Sequence, residues 1–234
     1  MKPMKPGLVS IITLNWHHYS DLTGPFIRYI DAWTPDPKEL IVVDQGSAEA
    51  DRLALINDAH HFPWLKVVLL PENVGFPAGT NVGNTEAEGE YICWMNNDMI
   101  INGDWLTPML ERLRGNHKTM VGAHLVSHGG WNEYVLSNGQ PLNIPYLEGW
   151  LLLVYRSFLE EVGEFDEAFG VGSLEDVHLC WRAQQAGYQL IEVAPLPLTH
   201  LRGRTVMDGS GRINQIEVSE RNFEMMKGRV RDSE

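Results

Sequence analysis

The stretch Tyr91-Ile92-Cys93-Trp94-Met95-Asn96-Asn97-Asp98 begins as a run of strand-forming residues and ends in three polar residues, the last a carboxylate. A second run, Glu39-Leu40-Ile41-Val42-Val43-Asp44, has the same form. In open α/β sheets, ligands bind outside the carboxyl ends of the strands. If the two strands are parallel neighbours, Asp44 and Asp98 lie on one rim of the sheet. The two stretches therefore predict a binding site at that rim.

Strand and helix patterns alternate on both sides of this site. Apolar runs predict strands at residues 8–14, 39–44, 65–70, 91–95, 120–126, 147–155 and 188–193. Helical spacing of apolar residues predicts helices at 21–33, 48–60, 77–87, 104–113, 156–162, 174–186 and 216–227. This order is typical of an α/β fold with a doubly wound, mostly parallel sheet flanked by helices. No repeat or clear linker divides the chain, so one domain is the simplest interpretation.

The overall charge of the chain disfavours two classes of binding partner. With 18 basic and 31 acidic residues, the chain has a formal net charge of -13, which argues against nucleic acid or an anionic membrane as the main partner. Cys93 and Cys180 both stand among apolar residues, so we expect buried free thiols and a reducing, cytosolic setting. The amino terminus has no apolar leader, and the apolar runs are too short to span a membrane.

Several common chemistries lack their sequence signatures. The P-loop pattern G-x-x-x-x-G-K-[ST] does not occur, and Gly75, Gly79 and Gly83 do not have the dinucleotide-binding spacing. The two cysteines are too far apart for a zinc motif. An NAD enzyme and a P-loop kinase are therefore disfavoured. Carboxylates and amides at strand ends instead suit Mg²⁺ or Mn²⁺, which usually enters with ligand phosphates.

A second acidic group stands at the predicted start of the helix at 174–186, in Ser173-Leu174-Glu175-Asp176. Ser173 and Asp176 have the spacing of a capping box, which would be a purely structural role. A carboxylate at a helix N-terminus can also accept a proton from a substrate hydroxyl that lies within about 3 Å. Two adjacent acids, where one is enough for a cap, favour the functional interpretation slightly.

Six motifs together carry a family resemblance. In chain order they are Val9–Ile12 with Asn15, Ile41–Ser47, Glu72–Phe76 with Asn81, Asn96–Asp98, the pair Gly163–Glu167 and Glu175–Leu179, and His200–Thr205. Over about residues 8–205 the chain thereby resembles the family-2 glycosyltransferases of the GT-A fold. The resemblance implies a GT-A-type α/β sheet with a small antiparallel portion on the acceptor side. It also implies a single domain over 1–234, with a nucleotide-sugar half at about 1–126 and an acceptor half at about 127–234.

The same resemblance implies a reaction and roles for residues. A divalent cation, Mg²⁺ or Mn²⁺, would assist the inverting transfer of a hexose from a nucleotide-diphosphate sugar to a saccharide or lipid-linked saccharide. UDP- or dTDP-sugars are favoured as donors, and glycan or cell-surface polysaccharide synthesis as the pathway. Asp44 would contact the base, Asp98 and His200 the cation, and Asp176 with Glu175 beside it would be the catalytic base. Further donor contacts are assigned to Asn15, Asn73, Gly75, Asn81, Asn96, Asn97, Arg202 and Arg204. Acceptor contacts are assigned to Trp131, Tyr134, Trp150 and His178, although Trp150 suits core packing better.

Three departures from the family pattern leave alternatives open. The metal motif keeps a single carboxylate, His178 stands where a second acid is common, and Ala48-Glu49 replaces an acid-bearing continuation. A degenerate relative that binds nucleotide sugar without turnover is therefore one alternative. A sugar-phosphate nucleotidyltransferase is another, but it needs a basic glycine-rich loop after the first strand. We expect a compact cytoplasmic enzyme, with peripheral attachment to the inner face of the membrane left open.

Overall fold

Strands and helices alternate through residues 2–126, 144–202 and 215–231, which are the residues that the computed structural model describes. The strands are β1 (Lys5–Asn15), β2 (Lys38–Gln45), β3 (Leu65–Leu70), β4 (Gly89–Met95), β5 (Met99–Ile101), β6 (Thr119–Gly122), β7 (Leu125–Val126), β8 (Tyr146–Leu147), β9 (Leu151–Tyr155), β10 (Gln189–Glu192) and β11 (Leu198–His200). The α-helices are α1 (Gly24–Trp33), α2 (Glu49–His61), α3 (Phe76–Glu86), α4 (Leu106–Leu113), α5 (Ser157–Glu161), α6 (Glu175–Gln185) and α7 (Gln215–Arg231). A π-helical turn covers Tyr19–Thr23, and a 3₁₀ turn covers Glu167–Phe169.

The central sheet has seven strands in the order β10-β6-β9-β4-β1-β2-β3. Strand β9 runs antiparallel to both of its neighbours, and the other pairs are parallel. The expected α/β fold with a mostly parallel sheet is therefore confirmed. Strands β2 and β4 are both parallel to β1 but are not neighbours, because β1 lies between them. Asp44, near the end of β2, and Asp98, which follows β4, still lie at the same rim of the sheet.

Apolar side chains cover both faces of this sheet. Strand β2 is buried along its whole length, as expected for a parallel strand with helices on either side. Its alternate residues divide between the two faces, with Leu40 and Val42 in one cluster and Ile41 and Val43 in the other. Helices α1 and α4 contribute to the first cluster, and α5 and α6 to the second. The predicted buried free thiols, Cys93 and Cys180, are confirmed.

Long-range pairing divides two stretches that the sequence predicts as single strands. The run 147–155 is broken by a turn at residues 148–150, because β8 pairs with β7 while β9 joins the central sheet. The run 120–126 is divided into β6 and β7 for the same reason. Strands β5 and β11, which the sequence did not predict, pair with each other in antiparallel fashion. No helix in the described ranges is long and apolar enough to cross a membrane.

Candidate active site

A chain of buried hydrogen bonds connects the ends of three strands at the rim. After β4, the Asn97 amide donates to the Thr23 hydroxyl oxygen at 2.7 Å. The Thr23 hydroxyl donates to Oδ1 of Asn15, the last residue of β1, at 2.6 Å. The Asn15 amide donates in turn to Oδ1 of Asp44 at 2.8 Å. The four side chains are buried, so the strand ends are fixed relative to one another.

The Asp44 carboxylate holds the loop that follows β2. The side chain is fully buried, and its Oδ2 accepts from the backbone N–H of Ser47 at 3.2 Å. Nε of Arg52 lies 3.4 Å from the same oxygen. The Ser47 hydroxyl accepts from the Asn15 amide and from the backbone N–H of His17. Asp44 therefore shapes both loops at this end of the rim.

A carboxylate and an imidazole meet at the other end of the rim. Oδ1 of Asp98 lies 3.1 Å from Nε2 of His200, and the backbone of Leu201 donates to the Asp98 carbonyl at 2.9 Å. The Asn96 amide nitrogen is 3.5 Å from the same imidazole nitrogen. The Trp150 ring stacks on the imidazole with a centroid distance of 5.0 Å. The β5–β11 pairing is what brings His200 to Asp98.

The Asp98–His200 pair is suited to a divalent cation. Asp98 is 3% exposed, and its Oδ1, although close to Nε2 of His200, accepts no well-aligned hydrogen bond from the described residues. Nδ1 of His200 is also buried and has no hydrogen-bond partner among those residues. A carboxylate oxygen beside an imidazole nitrogen is a donor set that first-row divalent metals accept. No group of three His, Cys, Asp or Glu side chains in the described ranges is placed to hold a metal. A cation at this place would therefore have two protein ligands, and its further ligands would come from a substrate or water.

The acid pair adjoins this end of the rim through one turn. Oδ2 of Asp176 accepts from the backbone N–H of Gly149 at 2.9 Å, and its Oδ1 from that of Val177 at 2.8 Å. Gly149 lies next to Trp150, whose ring covers His200. A Cβ on Gly149 would stand 3.1 Å from Cβ of Asp176, so the turn and the acid are in close contact. The turn at 148–150 thus joins the acid pair to the Asp98–His200 pair.

The predicted capping box at the start of α6 is not formed. Leu174, with φ of 69°, occupies the cap position, and the Ser173 hydroxyl lies 3.0 Å from that of Ser219 on α7. The capping interpretation is therefore wrong, because the Ser173 side chain contacts α7 and not the first turn of α6. Glu175 and Asp176 do lie in the first turn of α6.

Burial makes both acids weaker than ordinary carboxylic acids. Burial, together with the nearby Asp176 charge, raises the pKa of Glu175 to about 8. Burial also raises the pKa of Asp176, while backbone N–H groups of Gly149 and Val177 act against the rise. Two adjacent carboxylates do not readily ionise together. Backbone N–H groups of Ser173 and Glu175 also act against the rise at Glu175, but its Oε2 has no partner among the described residues, which favours Glu175 as the site of the proton. Asp176 is then the ionised group.

Three predicted donor-binding residues lie around the start of α3. The Asn73 side chain accepts a hydrogen bond from the backbone N–H of Gly75, and the φ angle of Gly75 is 92°. A Cβ on Gly75 would fall 2.1 Å from the carbonyl oxygen of Gly170. The Asn81 amide donates to the Phe165 carbonyl at 2.9 Å and to Glu167 at 3.0 Å. These contacts hold the loop from residue 163 to 170 against α3, rather than joining Asp44 or Asp98.

The predicted acceptor-binding residues are placed differently from one another. Trp150 is at the rim, on His200. His178 is 4% exposed and packs between Phe169 and Trp181, and burial lowers the pKa of its imidazole to about 4. The Arg202 guanidinium, predicted as a donor contact, is exposed at 3.4 Å from Glu148. Trp131, Tyr134 and Arg204 lie outside the described residues.

Sequence reasoning missed three residues of the rim. Thr23, Ser47 and Arg52 all contact Asn15 or Asp44. Ser47 belongs to the motif that identified Asp44, so its position was a usable signal. Thr23 lies in the π-helical turn before α1, and Arg52 in the first turns of α2, where the sequence gives no indication that they point to the rim.

Comparison with known proteins identifies the family of this chain. The model of the family described as glycosyl transferase family 2 matches residues 11–169. N-acetylgalactosaminyltransferase 6 of Drosophila melanogaster is 22% identical over 227 residues, which cover 82% of this chain and 34% of the relative. Human polypeptide N-acetylgalactosaminyltransferase 3 is 23% identical over 193 residues, covering 68% of this chain and 30% of the relative.

Two solved structures share the fold. The mannosyltransferase PcManGT from Pyrobaculum calidifontis, in complex with GDP-Man and Mn²⁺, superposes with a TM-score of 0.66 at 19% identity, over 84% of this chain and 57% of that one. GalNAc-T7 with UDP, GalNAc and Mn²⁺ gives 0.69 at 15% identity, over 91% and 47%. The chain thus spans about a third of the length of the curated relatives and about half of the solved chains. With a family match over more than half of its length and a shared fold, the chain belongs to glycosyl transferase family 2.

Proposed function

We propose that this protein is a metal-dependent inverting glycosyltransferase, which moves a hexose from a nucleoside-diphosphate donor to an acceptor hydroxyl. The observation that supports this most is the turn at 148–150, which joins the Asp98–His200 pair to Asp176. Transfer requires a base and a group that stabilises the leaving diphosphate on opposite sides of one anomeric carbon. The rim offers both within one connected set of contacts.

The donor would lie along the rim with its nucleoside at the Asp44 end. Asp44 and Asn15 fix the loops at residues 16–18 and 45–47, which would enclose the base. Asn96 and Asn97 stand between this end and the Asp98–His200 pair, where the diphosphate would lie. Similar structures hold UDP in one case and GDP-Man in another. We favour UDP- or dTDP-sugars.

Asp98 and His200 would hold the cation, Mn²⁺ or Mg²⁺. When bound, such an ion acts as a Lewis acid that neutralises negative charge on the departing diphosphate. The buried Asp98 oxygen and the buried imidazole supply the anionic and neutral ligands. Trp150, stacked on His200, keeps the imidazole ring in its orientation.

Asp176 would act as the general base. The acceptor oxygen forms a bond to the anomeric carbon, the bond from that carbon to the diphosphate oxygen breaks, and the acceptor proton passes to Asp176. A base in this role typically contributes about 10²- to 10⁴-fold to the rate. The raised pKa of Asp176 makes it a stronger proton acceptor than an exposed aspartate. Glu175 retains its proton and is neutral, so no second negative charge lies beside the base.

We propose a saccharide or lipid-linked saccharide acceptor, bound near Trp150 and the residues around Trp131 and Tyr134, in glycan or polysaccharide synthesis. For His178 we propose a packing role between Phe169 and Trp181, because its ring is buried. We keep the proposal of one domain, since β9 from the second half pairs with β4 from the first. The free thiols favour a cytoplasmic setting.

A ligand panel tests the donor site. UDP, dTDP, GDP and their hexoses are added with Mn²⁺, Mg²⁺ or chelator to the wild type and to Asp98→Asn, and unfolding is followed thermally. A ligand at 100 times its Kd stabilises by about 2.7 kcal/mol. We expect a metal-dependent rise for one nucleotide, absent in Asp98→Asn.

Transfer is then measured with Asp176→Asn, which keeps the shape of the base. We expect intact donor binding and a loss of turnover of about 10²-fold or more. A folded protein that no nucleotide stabilises would exclude the donor site. Donor binding without turnover for any saccharide acceptor would favour a non-catalytic binding protein.

A further inference from the structure

The loop that leads into the acid pair has an unusual backbone. Four of its five residues have positive φ: Gly170 at 67°, Gly172 at 129°, Ser173 at 82° and Leu174 at 69°. Glycine adopts this region readily, but Ser173 and Leu174 do so at an energetic cost. Such a conformation persists only when surrounding contacts impose it, and it often occurs where function depends on it.

Asn222 on α7 supplies these contacts. Its side chain is fully buried, although it is polar. The amide nitrogen is 3.0 Å from the carbonyl oxygens of Phe169 and Gly172 and 2.8 Å from that of Ser173, so its two N–H groups are shared among these three acceptors. Arg221 donates to Oδ1 of Asn222 at 2.8 Å, which fixes the orientation of the amide. One side chain thus binds the backbone on both sides of Val171 and up to the cap of α6.

The backbone that Asn222 holds determines where the acids point. Glu175 and Asp176 follow the left-handed residues directly, so a change of φ at Ser173 or Leu174 turns the first turn of α6. Asp176 has little freedom to compensate, because its two oxygens are already engaged by Gly149 and Val177. A loose loop would therefore move the carboxylate relative to the turn at 148–150.

We propose that Asn222 is a positioning residue for glycosyl transfer, which fixes the left-handed backbone before α6 so that Asp176 faces the rim. It acts through three carbonyl groups and not on the substrate. The proposal rests on the proposed role of Asp176 as the base. The hydrogen bonds from Asn222 to the loop do not depend on that role. The clamp that they form and its effect on transfer are therefore tested separately.

The first test is hydrogen exchange of the backbone amides in Asn222→Ala. The matched control is Met226→Ala, which removes a buried apolar side chain from the same α7 interface but no hydrogen bond to the loop. We expect amides of residues 170–176 to exchange at least tenfold faster in Asn222→Ala, and less than threefold faster in Met226→Ala. Equal acceleration in the two variants, or none in Asn222→Ala, would overturn the proposal. If Asn222→Ala does not fold, Asn222→Ser, which keeps one donor, is measured by the same criterion.

The second test separates positioning from binding. UDP-GalNAc and GDP-mannose serve as donor probes, and release of nucleoside diphosphate reports turnover. We expect kcat of Asn222→Ala to fall at least tenfold while the Kd of the nucleoside diphosphate with Mn²⁺ stays within twofold. A parallel loss of nucleotide affinity contradicts a positioning role. If the wild type binds no nucleotide, the proposed function fails, whereas the exchange experiment still decides whether Asn222 clamps the loop.

Discussion

Nε2 of His200 lies 3.1 Å from Oδ1 of Asp98, although the two residues come from distant parts of the chain. The contact depends on two three-residue strands, in which His200 is paired with Met99 and Leu198 with Ile101. Trp150 covers the imidazole from one side. The proposed cation site therefore depends on a tertiary pairing as well as on the carboxylate that follows β4.

Replacing His200 by Gln should weaken Mn²⁺ binding while leaving the nucleotide site intact. The variant loses one of two protein ligands, so we expect the Mn²⁺ affinity, measured by titration calorimetry with UDP or GDP present, to fall at least tenfold. Binding of the same nucleotide with chelator present should not change. His124→Gln is the control, because His124 is half-exposed and 3.8 Å from Glu192. Unchanged Mn²⁺ affinity in His200→Gln would remove His200 from the site.

The hydroxyl of Thr23 should stabilise the fold, whereas that of Thr13 should not. Thr23→Val leaves the side-chain amide of Asn97 and the side-chain Oδ1 of Asn15 without their hydrogen-bond partner. A buried unpaired polar group costs about 1–3 kcal/mol. Thr13 is also buried, but its hydroxyl has no hydrogen-bond partner among the described residues. Thr13→Val should therefore be neutral or stabilising. Urea unfolding of both variants tests the difference, and equal losses would refute the hydrogen-bond chain.

An alanine at position 75 should be far more harmful than one at position 115. Both glycines have positive φ, which costs an alanine about 1–2 kcal/mol. A Cβ at Gly115 meets open space, whereas one at Gly75 would be 2.1 Å from the backbone oxygen of Gly170. Relieving that overlap should cost about a further 1–3 kcal/mol. The measurement is the difference in unfolding free energy, and similar values for Gly75→Ala and Gly115→Ala would contradict the close approach.

Local sequence patterns were sufficient to predict the fold class and the strand ends that form the rim of the sheet. Strand ends are encoded in consecutive residues, so the change from an apolar run to Asn96-Asn97-Asp98 or to Asp44 identified the rim directly. The acid pair was identified in the same way, because Glu175 and Asp176 are adjacent at a helix start. The proximity of this acid pair to the proposed metal ligands, Asp98 and His200, was not predictable. It depends on the turn at 148–150, and the sequence pattern predicts the interior of a strand there.

Long-range contacts account for what the sequence did not predict. The residues of β5 and β11 are too few to give a periodic pattern, so only a family resemblance indicated His200. Helix α7 was predicted from its spacing, but not the contact that buries Asn222 against residues 169–173. The spacing of Ser173 and Asp176 offered a local capping box as one interpretation, whereas the Ser173 hydroxyl contacts Ser219 on that same helix.

Glu175→Gln should make the protein more stable at pH 8 and flatten its dependence on pH. In the unfolded chain this glutamate ionises near its ordinary pKa of about 4.3, whereas burial and the Asp176 charge raise the folded pKa to about 8. Between these values the folded state binds more protons than the unfolded state, so the free energy of unfolding falls as pH rises. The loss is complete above about pH 8. Gln carries no proton to lose, so the variant should gain about 1–3 kcal/mol over the wild type between pH 5 and 8.

Glu111→Gln, at an exposed position of α4, is the control, and its stability should have the same pH dependence as that of the wild type. Urea unfolding at pH 5, 6.5 and 8 measures the three curves. A Glu175→Gln curve parallel to the wild type would mean that Glu175 is ionised at neutral pH in the folded protein, and the assignment of the proton within the acid pair would have to be reversed.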